Sequence, residues 1–211
     1  MNQKITIAIN REYGSGGRRV GEMLAEQLGL HYYDKEILKL AADDSGINEA
    51  LFNKARDQFR KLTPLRPVRS AADDKLIPPE SADFTSDRNL FNYQAKTIRE
   101  LCDTKSCIIV GRCACFILRD RPNVVRVFMH APKAYRLEQA AKMKSLPPKE
   151  LEKFVDKTNR QRREYSEFYT GEKWDDAHNY DLCLDASKLG YEKCVQIIKG
   201  YMKVRFDGLE F

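Results

Sequence analysis

The chain has 211 residues, 42% hydrophobic and 32% charged, with only 11 Gly and 8 Pro. These proportions exclude collagen-like, low-complexity and wholly disordered chains and predict a soluble globular fold of one large domain, or one domain with a small insert. Lys plus Arg outnumber Asp plus Glu by 37 to 31, a net charge of +6 that suits an anionic ligand and is too small by itself to signal nucleic acid.

The apolar stretch Ile108-Ile109-Val110 ends at Gly111-Arg112, far short of the roughly 20 apolar residues that cross a bilayer. Ile5 to Ile9 is too short for the core of a signal peptide and runs into Asn10-Arg11-Glu12. Cys107, Cys183 and Cys194 lie in apolar segments where a free thiol behaves as a small hydrophobe. Cys113-x-Cys115 is one residue short of CxxC, and His31, His130 and His178 stand far apart, so no zinc site is expected. The reading is a reducing cytoplasm, no membrane partner and no metal-ligating cluster.

In chain order, Ile5 to Ile9 predicts a buried strand, followed at once by Tyr13-Gly14-Ser15-Gly16-Gly17. Val20, Met23, Leu24 and Leu28 then recur at helical spacing, closed by Gly29 as C-terminal cap residue. His31-Tyr32-Tyr33 gives a second strand, with Asp34 as N-cap of a helix bearing Ile37, Leu38, Leu40 and Ala41. Phe52, Ala55 and Phe59 predict one amphipathic helix, and Thr63-Pro64 through Pro78-Pro79 and Ser81 a long mobile connector. A helix resumes near Asp87, with Leu90, Phe91, Ala95, Ile98 and Leu101 on one face. Ser106 to Val110 and Val124 to Met129 are further strands, the second followed by a helix from Pro132 to about Lys144. A long basic helix follows Pro147-Pro148, with Arg160, Arg162, Arg163 and Tyr165 in its second half. Asp181 to Asp185 is the last strand and Gly190 to Arg205 the last helix. Five strands alternating with helices predict a five-stranded parallel sheet covered on both faces, a three-layer α/β/α fold.

In such a sheet ligands bind outside the carboxyl ends of the strands. Asn10 to Arg19, Asp34-Lys35 and Gly111-Arg112 all fall at that edge. A strand, a glycine-rich turn and a helix start form an anion cradle, because the amides converge and the helix dipole adds about half a positive charge. Gly14, Ser15, Gly16, Gly17 and Arg18 are therefore the nucleotide-binding candidates. The loop departs from GxxxxGK[ST], with Gly17 and Arg18 where Lys and Ser or Thr belong, and from GxGxxG, with Arg19 for the last glycine. Asp34 stands 20 residues past Gly14, where a dinucleotide site keeps its ribose-binding acid, so a dinucleotide enzyme is a third reading. A tight turn without ligand is the plain alternative.

Arg160 and Arg163, at i and i+3 on the basic helix, share one face, and Arg162 points elsewhere. Asp156, one turn earlier, is placed to hold Arg160. A solvated basic face explains the same pattern. Arg112, just beyond a buried strand, calls for an anionic partner: a ligand, or a carboxylate such as Asp34. His130 reads as structural, and Tyr165, Phe168, Tyr169 and Trp174 as an apolar seat.

This order of features resembles the cytidylate kinase-like family, relatives of nucleoside monophosphate kinases. The resemblance covers nearly the whole chain, through ITIAINREYGSGGRRVGEMLAEQLG followed by HYYDKEIL, VGR at 110–112 and NYDLCLDASKLG at 179–190. It implies a phosphate-loop kinase fold that uses ATP with Mg2+ and a nucleoside monophosphate or other small acceptor. Residues 46–90 become the substrate-binding insert and 145–175 the lid. Cytidylate kinases place Gly-Lys-Ser-Thr where this chain has Gly16-Gly17-Arg18-Arg19, and Gly-Arg-Asp where it has Gly111-Arg112-Cys113. The loop thus lacks the lysine that contacts β- and γ-phosphates and the hydroxyl that ligates magnesium. On this reading Arg18 or Arg19 stands in for the lysine, and Arg112, Arg160 and Arg163 neutralise transition-state charge. Asp34, Lys35 and Arg112 hold the acceptor. The rival is a regulatory module that binds nucleotide without turnover. The pattern names no acceptor and sets no oligomeric state.

Overall fold

A computed structural model describes residues 4–58 and 75–206. Within them β1 (Thr6–Arg11), β2 (His31–Tyr33), β3 (Cys107–Val110), β4 (Val124–His130) and β5 (Leu182–Asp185) form one sheet in the order β2-β3-β1-β4-β5, every neighbouring pair parallel. The β-branched runs require this, since Ile7, Ile9, Ile108, Ile109, Val110 and Val127 are all fully buried, as only a sheet covered on both faces allows.

Side-chain alternation divides the strands between two cores. Ile7 and Ile9 pack with Val20 and Leu24 of α1 (Gly17–Leu28) and Ile198 and Met202 of α8 (Ala186–Arg205). Ala8 and Ile109 pack on the opposite face with Ile37 of α2 (Glu36–Ser45), Ile98 of α4 (Asp87–Thr104) and Leu118. Truncating one of these buried isoleucines to alanine costs roughly 2–5 kcal/mol. The predicted three layers and five parallel strands are the observed architecture. Among the described residues no helix is long and apolar enough to cross a membrane.

Most predicted boundaries agree with the structure to within a residue or two. Gly29 ends α1 in a left-handed conformation. The last helix begins earlier than expected, at Ala186, capped by Asp185, and its helical backbone is interrupted at Gly190. Asp34 is not the cap of α2: Lys35 takes that position and makes no side-chain cap bond. The Asp34 carboxylate instead turns to Arg18, because a charged partner outcompetes a backbone amide for it.

Phe52 anchors α3 (Glu49–Gln58) against Leu38, Ala41 and Leu90. Phe59 and residues 63–74 of the expected connector lie outside the described residues. Its carboxyl end is fastened: buried Asn89 accepts from the Ile77 amide at 2.9 Å and donates to the carbonyls of Ile77 and Phe84 at 3.1 and 2.7 Å. The sheet's carboxyl edge is completed by α5 (Ala114–Ile117), α6 (Lys133–Met143) and α7 (Pro148–Thr170), of which α7 lies against the loop after β1.

Candidate functional site

The loop between β1 and α1 is a compressed turn. Gly14 and Gly16 both have left-handed backbones, φ 83 and 80. A Cβ on Gly14 would collide with the carbonyl oxygen of Arg136, and one on Gly16 with the ring of Tyr191. The loop is therefore held between the first turn of α6 and the stretch of α8 just after Gly190. The Ser15 hydroxyl is buried and lies 2.9 Å from each of the Glu12 and Met129 carbonyl oxygens, fastening the loop to β4. The first backbone bond into α1 runs from the Val20 amide to the Gly16 carbonyl at 2.9 Å. The amides of Gly17, Arg18 and Arg19 precede it and have no carbonyl within the helix to pair with, which suits the positive end of the helix dipole to an anion.

Two cavities open from this point. One, of about 490 Å³, lies on the loop and is walled by Tyr13, Gly14, Gly16, Gly17, Arg19, Met143 and Tyr191 among others. The second, of about 300 Å³, lies over the ends of β2 and β3, among Asp34, Lys35, Val110, Arg112 and Tyr165. Arg11, Arg18 and Arg162 line both.

The second cavity holds more positive charge than its carboxylate can balance. Asp34 accepts from Arg18 Nη2 at 2.6 Å and lies 3.9 Å from Arg11 Nη2, while Arg112 Nε donates to the Asp34 carbonyl oxygen at 3.3 Å. Arg162 donates from Nη1 to the Arg11 carbonyl at 3.0 Å and lies over the Tyr13 ring at 5.6 Å. Four guanidiniums thus line a cavity with one carboxylate. Burial opposes ionisation of Asp34, yet Arg11, then Arg18 and Arg112, outweigh it and hold its carboxyl below the usual range. Burial, reinforced by the Arg11 charge, drives Arg162 well below an ordinary arginine. Burial likewise lowers Arg11, against the pull of Asp34. An anion entering here offsets the burial penalty of Arg11 and Arg162.

Arg112 reaches the cavity from a strained turn. Gly111, Arg112 and Cys113 are consecutively left-handed, at φ 82, 57 and 56. Each non-glycine residue in that region costs roughly 1–2 kcal/mol, so the surroundings must impose it. Buried Gln94 of α4 does so by donating to the Arg112 carbonyl at 3.1 Å. Burial pushes the Cys113 thiol up to about 12, which removes it as a nucleophile at neutral pH.

The structure brings Gly14, Gly16, Gly17, Arg18, Asp34, Lys35 and Arg112 together at one edge. Arg19 borders the loop cavity but is largely exposed, 3.8 Å from Glu22. Arg160 and Arg163 are not brought to the site. Arg160 is exposed and lines neither cavity, and Arg163 donates to Asp175 at 2.6 Å. Asp156 pairs with Lys133 at 2.9 Å rather than with Arg160. The residue turned inward is Arg162, contrary to the expectation from spacing. The inner side of α7 follows Leu151, Val155, Thr158, Arg162, Tyr165 and Tyr169, steps of four and three, and a charge on that stripe is the sequence signal that finds Arg162. Arg11 has a comparable signal, since it continues the alternation of Ile7 and Ile9.

His130 lines neither cavity. The expected apolar seat is two clusters: Tyr169 stacks on Phe91 at 4.3 Å, whereas Trp174 meets Phe128 edge-on at 5.4 Å. Among the described residues no group of three His, Cys, Asp or Glu side chains is placed to hold a metal ion.

The sequence profile of the cytidylate kinase-like family matches residues 6–188. Nothing among the curated proteins matches. An uncharacterized protein from Eubacterium ventriosum ATCC 27560 shares the structure with a TM-score of 0.68 and 26% identity, over 95% of this chain and 99% of that one. Shikimate kinase from Bacteroides thetaiotaomicron is similar at TM-score 0.51 and 11% identity, over 94% and 98% of the two chains. TT1252 from Thermus thermophilus is similar at 0.52 and 13%, over 98% and 100%. At 11% and 13% identity the likeness is one of fold, that of phosphate-loop kinases.

Proposed function

The chain belongs to the cytidylate kinase-like family, and on that footing we propose that it is a phosphotransferase, passing the γ-phosphoryl group of magnesium-bound ATP to a nucleoside monophosphate or another small anionic acceptor. The observation that carries this reading is the set of three guanidiniums, Arg11, Arg18 and Arg162, shared by a cavity on a phosphate-type loop and a cavity over the neighbouring strand ends. In-line phosphoryl transfer asks little covalent chemistry of a protein and much positive charge between donor and acceptor.

The loop fits a nucleotide's phosphates. Gly14 and Gly16 are left-handed where the chain enters α1, and the amides of residues 17–19 have no carbonyl partner within the helix. Tyr191 and Met143 give the same cavity an apolar wall against which a base can lie. In the second cavity Arg112 and Lys35 attract an anionic acceptor and Asp34 accepts from its hydroxyl groups. Arg160 and Arg163 have no part in this arrangement, and Arg19 borders the loop cavity with a largely exposed side chain. Magnesium supplies charge neutralisation on the phosphates. With arginines at 18 and 19 in place of a hydroxyl, the residues suit a metal carried by the nucleotide's own oxygens and water. The six free cysteines fit a reducing cytoplasm.

A second reading, a module that binds nucleotide without turnover, draws support from Gly17 at the lysine position. Incubation of the chain with Mg-ATP and a panel of nucleoside monophosphates and small phosphorylated or carboxylated alcohols separates the two. Formation of ADP that depends on an acceptor supports the kinase. Tight ATP binding with no phosphorylated product favours the module.

A further inference from the structure

We infer that Arg11 takes over the work of the missing loop lysine, contacting the phosphoryl group between the two cavities; this rests on the kinase reading above. The evidence is the path of its side chain. As the third member of the alternation Ile7, Ile9, Arg11, it projects from the end of β1 onto the α1 face of the sheet. There it meets Gly17: a Cβ on that glycine would lie 2.6 Å from Arg11 Cβ and 3.0 Å from Cγ. Position 17 is the one at which cytidylate kinases carry lysine. A lysine at 17 and the Arg11 side chain therefore compete for one space, and in this chain the arginine fills it from the strand side.

The other end of the side chain reaches the second cavity. A Cβ on Gly111, at the end of β3, would collide with Arg11 Nη1. The side chain fills the space beside Gly17, and its course joins the helix start to the acceptor side. The Arg11 side chain is only 14% exposed, yet the residue lines both cavities.

A purely structural ion pair explains Arg11 poorly. The carboxylate it approaches, Asp34, is 3.9 Å away and bonded to Arg18 at 2.6 Å. Arg162 adds a second cation by docking on the Arg11 carbonyl. A fork of N–H donors in partial excess of negative charge, at the junction of a phosphate cradle and an acceptor cavity, matches a phosphoryl group bidentately.

The test is calorimetric titration of the full chain with ATP and with AMP. Arg11→Ala is expected to weaken ATP at least about tenfold, as loss of a charged hydrogen bond does, and to leave AMP nearly unchanged. The double variant Arg11→Ala with Gly17→Lys, which returns the lysine to a cleared space, should regain ATP affinity, whereas Gly17→Lys alone should not improve it. Arg11→Gln removes the charge while keeping bulk and must show the same ATP-selective loss if Arg11→Ala fails to fold. Unchanged ATP affinity in these variants, or equal loss of ATP and AMP, overturns the assignment and leaves the kinase reading standing. Absence of nucleotide binding by the unaltered chain overturns both.

Discussion

Replacing Gly16 by alanine adds one methyl group where the backbone is left-handed and the Tyr191 ring already occupies the space. Two costs add. An L-residue in that backbone region loses roughly 1–2 kcal/mol, and forcing a methyl into filled space loses roughly 1–3 kcal/mol. The sum is about 2–5 kcal/mol, and for a chain near 200 residues each kcal/mol lowers the melting temperature by about 2–4 °C, so a fall of roughly 4–20 °C is expected. Thermal unfolding of Gly16→Ala, Tyr191→Ala and the double variant separates the two costs. Removing the ring relieves the collision but not the backbone penalty, so the double variant should be more stable than the sum of the singles by about 1–3 kcal/mol. Gly16→Ala melting within about 1 °C of the parent, or additivity within about 0.5 kcal/mol, would refute the claim that α8 confines the loop.

Gly111→Ala should lower stability by about 1–2 kcal/mol through its left-handed backbone and push the Arg11 guanidinium aside, so ATP affinity falls as well; retention of ATP affinity in calorimetry contradicts that path for Arg11. Because its arginine neighbours hold Asp34 below an ordinary carboxyl, its contribution is complete above the unfolded value near 4 and is lost as pH falls through the lower folded value. Asp34→Asn should therefore cost about 1–3 kcal/mol at pH 7, discounted for the exposure of Arg18. Urea unfolding should show the gap to the parent shrinking steadily as pH falls below about 4; a constant gap contradicts the ion pair. Burial pushes Cys113 and Cys115 up to about 12 and Cys107 and Cys194 up to about 11, while Cys183 is exposed. A thiol reagent at pH 8 should modify Cys183 first in the native chain and all six cysteines in denaturant, and rapid modification of Cys115 contradicts its burial.

The strands and the cradle are legible in the sequence because their signals are local. Runs such as Ile108-Ile109-Val110 have nowhere to go but a doubly covered sheet, and Gly14 to Gly17 directly precede a helix of regular apolar spacing. The charge that surrounds the cradle is less local. Arg160 and Arg163 do share a face, but which face of α7 packs inward is set by Leu151 and Val155, and only the longer stripe through Thr158 and Tyr165 exposes Arg162 as the inward arginine. Asp34 has the sequence context of a helix cap, and its preference for Arg18 depends on α1 presenting that guanidinium from 16 residues away in the chain. The left-handed turn at Arg112 and Cys113 violates local preference outright, and its support comes from Gln94 on another helix. What escaped the sequence is side-chain placement across elements, which is where the candidate site lies.

The central claim is that the Gly14–Gly17 loop and the arginines beside it form a polyphosphate site. Thermal unfolding of the full chain with ATP, against AMP at the same concentration, tests it most directly. ATP at about 100 times its dissociation constant should add roughly 2.7 kcal/mol, a rise of about 5–11 °C, with a smaller rise for AMP. No shift with ATP, or shifts that do not grow with the number of phosphates, would contradict the account.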